Sequence, residues 1–98
     1  MHAPHLLDVE VAQVLRRHVA AGAIAVSRDE VAWQDLLDLR VRRYPHGLFL
    51  RRIWEVRDNL TAYDALYIAL AEALDATLLT CDGKLGLAPG HRARVKVI

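Results

Sequence analysis

Leu60-Thr-Ala-Tyr-Asp64-Ala-Leu-Tyr-Ile-Ala-Leu-Ala-Glu72-Ala-Leu-Asp75-Ala-Thr-Leu-Leu-Thr80-Cys-Asp82 is the stretch on which the fold turns. Thr61 followed three residues later by Asp64 has the spacing of a capping box, with Asp in place of the usual Glu or Gln. From Ala62 to Leu74 only Asp64 and Glu72 are charged, and apolar side chains fall on nearly every face. Such a helix is buried. Asp75 and Ala76 make a short connection into Thr77-Leu-Leu-Thr80, a run that suits a buried parallel strand. Asp82 follows at its end, then Gly83. One carboxylate opens the helix and another lies just past the strand, and ligands in α/β sheets bind beyond the carboxyl ends of strands.

Ninety-eight residues suffice for one core, so the expectation is a single domain over 1–98. The chain is 54% hydrophobic and 26% charged, the balance of a globular protein. No apolar run is long enough to span a bilayer, and Glu72 and Asp75 interrupt the best candidate. The opening Met-His-Ala-Pro-His lacks the basic and hydrophobic regions of a secretory signal. A lone Cys81 forms no intrachain disulfide, which fits a reducing cytoplasm. Net charge is +1, too near neutral to argue for nucleic acid. Its distribution is uneven: the twelve acidic residues all lie at or before Asp82, while Lys84, Arg92, Arg94 and Lys96 follow without compensation. Arg40, Arg42 and Arg43 form a second basic group and Arg51-Arg52 a third. These are solvated faces or phosphate contacts around a cleft.

Outward from the central stretch the pattern stays mainly helical. Pro4 suits the first position of a helix over 4–21, with Leu7, Val11, Val14, His18 and Ala21 on one stripe and Gly22 as the stop. Glu10 falls at the edge of that stripe. Ser27-Arg-Asp-Glu30 is a capping box for a second helix to about Leu39, with Val31, Trp33, Leu36 and Leu37 available for packing. Arg40 to Tyr44 reads as a weak edge strand before the turn at Pro45-His-Gly47. A third helix is expected from Leu48, carrying Phe49, Ile53, Val56 and Leu60 on one face. After the loop 83–92, Val95-Lys-Val-Ile98 alternates as a strand. The pattern is α/β, with about four helices against three short strands and no obvious central strand.

Asp64 has a plain structural account as a capping residue, Asp82 as part of an Asp-Gly turn, and Glu10 as a peripheral glutamate. Taken together they are three carboxylates tied to apolar elements. Mg²⁺ and Mn²⁺ take carboxylate and water ligands, and phosphodiester chemistry uses those ions. No phosphate-binding glycine loop or nucleophile elbow competes. The five histidines have no metal-ligand spacing, and Cys81 lacks an obvious base.

The segments Ala3-Pro-His-Leu-Leu-Asp-Val-Glu-Val11, Arg57-Asp-Asn-Leu-Thr-Ala-Tyr-Asp-Ala-Leu-Tyr-Ile-Ala-Leu-Ala-Glu72 and Leu78-Leu-Thr-Cys-Asp-Gly-Lys-Leu85 closely resemble the PIN-domain ribonuclease toxins of the VapC type. The resemblance runs through nearly the whole chain in the family's order. It implies a metal-dependent endoribonuclease held inactive by an antitoxin, with an acidic Mg²⁺ or Mn²⁺ site on a small, mainly parallel sheet. By motif, Glu10, Asp64 and Asp82 would be the catalytic metal ligands and Thr80 a supporting polar neighbour. Arg42, Arg43 and Lys84 are the candidate RNA-phosphate contacts. Family membership further implies dimers or higher oligomers.

The family also opens with a strand ending in Asp, followed by a helix, before the Ala-Pro-x-Leu-Leu segment. Here Met1 lies two residues before that segment, so the expectation is a truncated PIN-like fold lacking its first βα unit and one acidic ligand. Whether the chain is an enzyme therefore stays open at this point. It is an active ribonuclease, a catalytically impaired module that binds an antitoxin or another PIN chain, or a remnant folding only as an oligomer.

Overall fold

The computed structural model describes residues 1–22 and 26–98. Its elements are strand β1 (His2–Pro4), helices α1 (Leu6–Ala21) and α2 (Val26–Asp38), strand β2 (Arg42–Tyr44), helices α3 (Leu50–Glu55) and α4 (Ala62–Leu74), and strands β3 (Thr77–Thr80) and β4 (Arg94–Val97). Short 3₁₀ turns, His46–Phe49 and Leu85–Leu87, precede α3 and β4. The expected class holds: four helices with small parallel sheets. Among the described residues the strands number four, paired as two ribbons, β1 with β2 and β3 with β4. By internal contacts the chain divides into two compact units, Met1–Tyr44 and Pro45–Ile98.

In the first unit, His2, Ala3 and Pro4 stand opposite Arg42, Arg43 and Tyr44. Pro4 does not start a helix as its type suggests; it ends β1, buried. The ribbon is closed by Arg42 N–H donating to Met1 O at 2.8 Å and His5 N–H donating to Tyr44 O at 3.1 Å. Strand alternation then puts the Pro4 nitrogen on the unpaired edge, where a missing donor costs nothing. Helix α1 stops at Gly22 as expected, in the left-handed conformation with φ 67°, its N–H turned back to the carbonyls of His18 and Val19. Helix α2 begins at Val26, so Ser27 lies inside its first turn and the true cap falls outside the described residues. The expected packing stripes are only partly covered. No residue of α1 is buried, and on α2 Leu36 is buried while Val31 and Leu37 remain exposed.

The second unit is built on α4. Thr61 Oγ1 accepts the N–H of Asp64 at 3.2 Å, the expected cap. Ala65, Leu66, Ile68, Ala69, Leu70 and Ala71 are buried, which bears out a helix apolar on nearly all sides. Helix α3 is shorter than the apolar spacing suggests. It ends at Glu55, and Val56 closes it, while Asn59 and Leu60 N–H both turn back to Val56 O in a non-helical bend. Phe49 and Val56 are buried all the same. Helix α4 ends at Asp75 with φ 50°, a conformation Asp tolerates better than most residues, and Ala76 leads into β3. Strand β3 pairs with β4 from Thr77↔Arg94 to Thr80↔Val97. It is half-buried rather than buried: its residues alternate, and Leu79 is 59% exposed, because the ribbon has only one packed face.

Candidate active site

Asp64, Thr80, Asp82 and Lys84 all belong to the second unit, at the head of α4 and at the end of β3 and the loop after it. Helix α4, at 13 residues, is about 20 Å long. The two-residue connection returns β3 along it for 4 residues, about 13 Å, and Cys81 and Asp82 add about 6 Å more. By these lengths the return is about as long as the helix, whose first turn carries Asp64.

The cap at Asp64 uses its backbone, not its side chain. Thr61 takes the Asp64 N–H, and the half-buried carboxylate makes no hydrogen bond or ion pair among the described residues. The reciprocal half of the capping box is absent, so the carboxylate stands at the positive end of a helix with its lone pairs available. Asp82 is exposed and locally fixed. Its N–H donates to Thr80 Oγ1 at 3.0 Å, and its Oδ1 accepts the N–H of Lys84 at 2.9 Å. The Thr80 hydroxyl thus orients the backbone that presents Asp82. One carboxylate oxygen closes the turn and the other remains open. The Lys84 side chain is exposed beside it.

Glu10, Arg42 and Arg43 belong to the first unit. Glu10 lies half-buried in the second turn of α1. The Arg43 guanidinium grips Asp8 with two bonds, Nε to Oδ2 at 2.6 Å and Nη2 to Oδ1 at 2.9 Å, and donates a third to Val41 O. This pairing holds the Asp8 carboxyl below its ordinary range, against the opposing effect of burial, and pushes Arg43 up. Arg43 therefore has most of its donors engaged. Arg42 is exposed, with its guanidinium 5.5 Å from the centre of the Tyr44 ring, and Tyr44 OH meets His2 Nδ1 at 2.8 Å. No group of three or more His, Cys, Asp and Glu side chains converges as a metal cage among the described residues.

One element of the site was not visible from the sequence. Arg52 Nε and Nη2 bind both oxygens of Glu72 at 2.8 and 2.9 Å, while Nη2 also donates to Gly90 O at 3.0 Å. Arg92 N–H donates to Glu72 Oε2 at 2.8 Å. The loop that starts at Asp82 is thereby pinned at its far end to α3 and α4. The only hint in the sequence was a second charge, Glu72, on an otherwise apolar helix.

Asp64 thus opens a capped helix and Asp82 follows a strand of the parallel ribbon in the same unit, and carboxylate oxygens are the donors that hard divalent ions take. Residues 1–89 match the PIN domain family. Ribonuclease VapC1 of Mycobacterium tuberculosis is 45% identical over 98 residues, covering 99% of this chain and 74% of the relative. Ribonuclease VapC12 of the same organism is 38% identical over 98 residues, covering 100% and 76%. The VapC ribonuclease Mb0985 of Mycobacterium bovis is 46% identical over 85 residues, covering 87% and 67%. No solved structure matches the chain. The chain belongs to the PIN-domain family, among its VapC members. No helix among the described residues is long and apolar enough to cross a membrane.

Proposed function

We propose that this protein is the ribonuclease toxin of a toxin–antitoxin pair, cutting RNA phosphodiester bonds at an acidic Mg²⁺ or Mn²⁺ site, in the cytoplasm, as one PIN-like domain. The observation that carries the reading is the Asp64 carboxylate, left unengaged by the cap that holds its own backbone. It stands in a chain whose relatives, over nearly its full length, are named ribonucleases.

The chemistry of the donors suits a hard divalent ion: Asp64 offers two lone-pair-bearing oxygens and Asp82 one beyond its turn, and the family motif names Glu10 as a third carboxylate. Bound there, the ion supplies Lewis acidity toward a phosphoryl oxygen and a more acidic water. The chain's own residues do the positioning. Thr80 orients Asp82 through its N–H, Arg42 and Lys84 present exposed cations to phosphates, and Arg43 contributes chiefly through its hold on Asp8. An antitoxin protein is the expected partner, and a homodimer the expected assembly.

The test is cleavage of a structured RNA by the purified 98-residue chain in Mg²⁺ or Mn²⁺, with chelator and Asp64→Asn as controls. Metal-dependent cleavage that Asp64→Asn abolishes supports the proposal. Absence of cleavage under both ions, or an Asp64→Asn chain as active as the parent, overturns it in favour of a binding module without catalysis.

A further inference from the structure

Asp29, in the first turn of α2, is only 5% exposed, and neither of its carboxylate oxygens has a hydrogen-bond partner among the described residues. Burial without donors is far more unfavourable for a carboxylate than for a neutral polar group. Glu72 shows what a satisfied counterpart looks like in the same chain. Its side chain is comparably buried, and it receives two N–H groups from Arg52 and one from the Arg92 backbone. Asp29 receives none of these, which leaves its donors to come from a bound molecule.

Asp29 lines a groove of about 440 Å³ between α1 and α2. Ala12, Leu15 and Val19 of α1 and Trp33 of α2 give this groove apolar walls, and the α1 wall runs about 10 Å along its helix. Two carboxylates, Asp29 and Glu30, and one guanidinium line it, and that guanidinium, Arg16, gives its Nε–H to Gln13 at 3.1 Å. A second polar station lies at Gln34. Its Nε2 donates to Asp38 Oδ1 at 3.1 Å, which leaves its own Oε1 as an acceptor. Gln34 follows Asp29 by five residues, about 7.5 Å along the helix.

These features select the occupant. A hard metal ion wants an oxygen-rich shell, which one buried carboxylate among apolar walls does not supply. A quaternary ammonium suits the Trp33 ring but brings no N–H to the carboxylate. A primary alkylammonium brings three donors at one end and a chain of methylene groups for the walls. A second ammonium one short chain away meets Gln34 Oε1.

We propose that this groove binds a linear aliphatic diamine or polyamine. One ammonium pairs with Asp29, the carbon chain lies against Leu15, Val19 and Trp33, and the second ammonium reaches Gln34 Oε1. The site uses none of the residues assigned to RNA cleavage, so either proposal can fail without the other.

The test is calorimetric titration of the full chain with cadaverine, pentylamine and pentanediol, read alongside tryptophan emission. Cadaverine should bind saturably at a single site. Pentylamine, with one ammonium, should bind several-fold more weakly, and pentanediol, with none, should not bind. Asp29→Asn keeps the shape and removes the charge, and should weaken cadaverine at least about tenfold. Asp64→Asn should bind cadaverine as the parent does, which separates the groove from the acidic site. Trp33→Phe should keep the binding and lose the emission change, since Trp54 lies in the other unit. Where Asp29→Asn perturbs folding, the comparison of cadaverine with pentanediol on the parent still decides. A parent that does not bind cadaverine overturns the proposal and leaves Asp29 to a side chain of another protein. Equal binding of pentanediol, an affinity that Asp29→Asn leaves unchanged, or an emission change that survives Trp33→Phe also overturns it.

Discussion

Arg52 and Glu72 form a two-bond ion pair at 2.8 and 2.9 Å, with the Glu72 side chain only 3% exposed. The hydrogen bonds from Arg52, opposed by burial, hold the Glu72 carboxyl below its ordinary range. Glu72 therefore stabilises the fold fully above its unfolded-state value of about 4.3, and that contribution is lost as the pH falls through the lower folded value. Glu72→Ala leaves a guanidinium short of its partner and frees the N–H of Arg92, and should cost about 2 kcal/mol in urea unfolding at neutral pH. The gap between parent and variant should narrow on acidification; a constant gap would show that the pair is not the source.

At the head of α4 the cap and the carboxylate are separable. Thr61→Ala removes the acceptor for the Asp64 N–H and should destabilise by about 1 kcal/mol. Asp64→Asn keeps that backbone bond and should change the unfolding midpoint little while abolishing RNA cleavage. A large fall in stability for Asp64→Asn, with activity lost in proportion to unfolding, would assign the side chain a structural role instead.

Thr80 acts on Asp82 through one hydrogen bond to its backbone, so its effect should follow the hydroxyl rather than the shape. Thr80→Val, nearly isosteric, should lower cleavage about tenfold, the equivalent of a neutral hydrogen bond. Thr80→Ser keeps the acceptor and should retain most activity. Equal activity of all three chains would remove Thr80 from the site.

Much of this layout was legible because it is written locally. Thr61 and Asp64 mark a helix start three residues apart, and the apolar run behind them has no other explanation than burial. The same locality explains the failures. Strand β1 is three residues with a proline at its end, too short to show alternation, and it exists only through β2, forty residues on. The early end of α3 sits against a continuing apolar spacing; Asp58 and Asn59, residues that favour turns, prevail over it. Strand β3 reads as fully buried by composition, yet a two-stranded ribbon leaves Leu79 outside. The Arg52–Glu72 pair joins residues twenty apart across a bend, and no spacing rule points to it.

Gly90 links that pair to backbone geometry. Its carbonyl accepts from Arg52, its φ is 90°, and a Cβ placed on it would lie 2.8 Å from Asn59 Nδ2. Asn59 is exposed and its amide is the far end of a short side chain, so it can turn away at little cost. The backbone conformation cannot be relieved so simply, because residues with a Cβ rarely adopt it. Gly90→Ala should therefore destabilise by about 1–2 kcal/mol, and adding Asn59→Ala should recover only a small part of the loss. The loop from Asp82 to Arg92 should also become easier to cleave in limited proteolysis, since its Arg52 anchor depends on the carbonyl direction at Gly90. Full recovery in the double variant would mean that the contact with Asn59, not the left-handed backbone, is what requires glycine there.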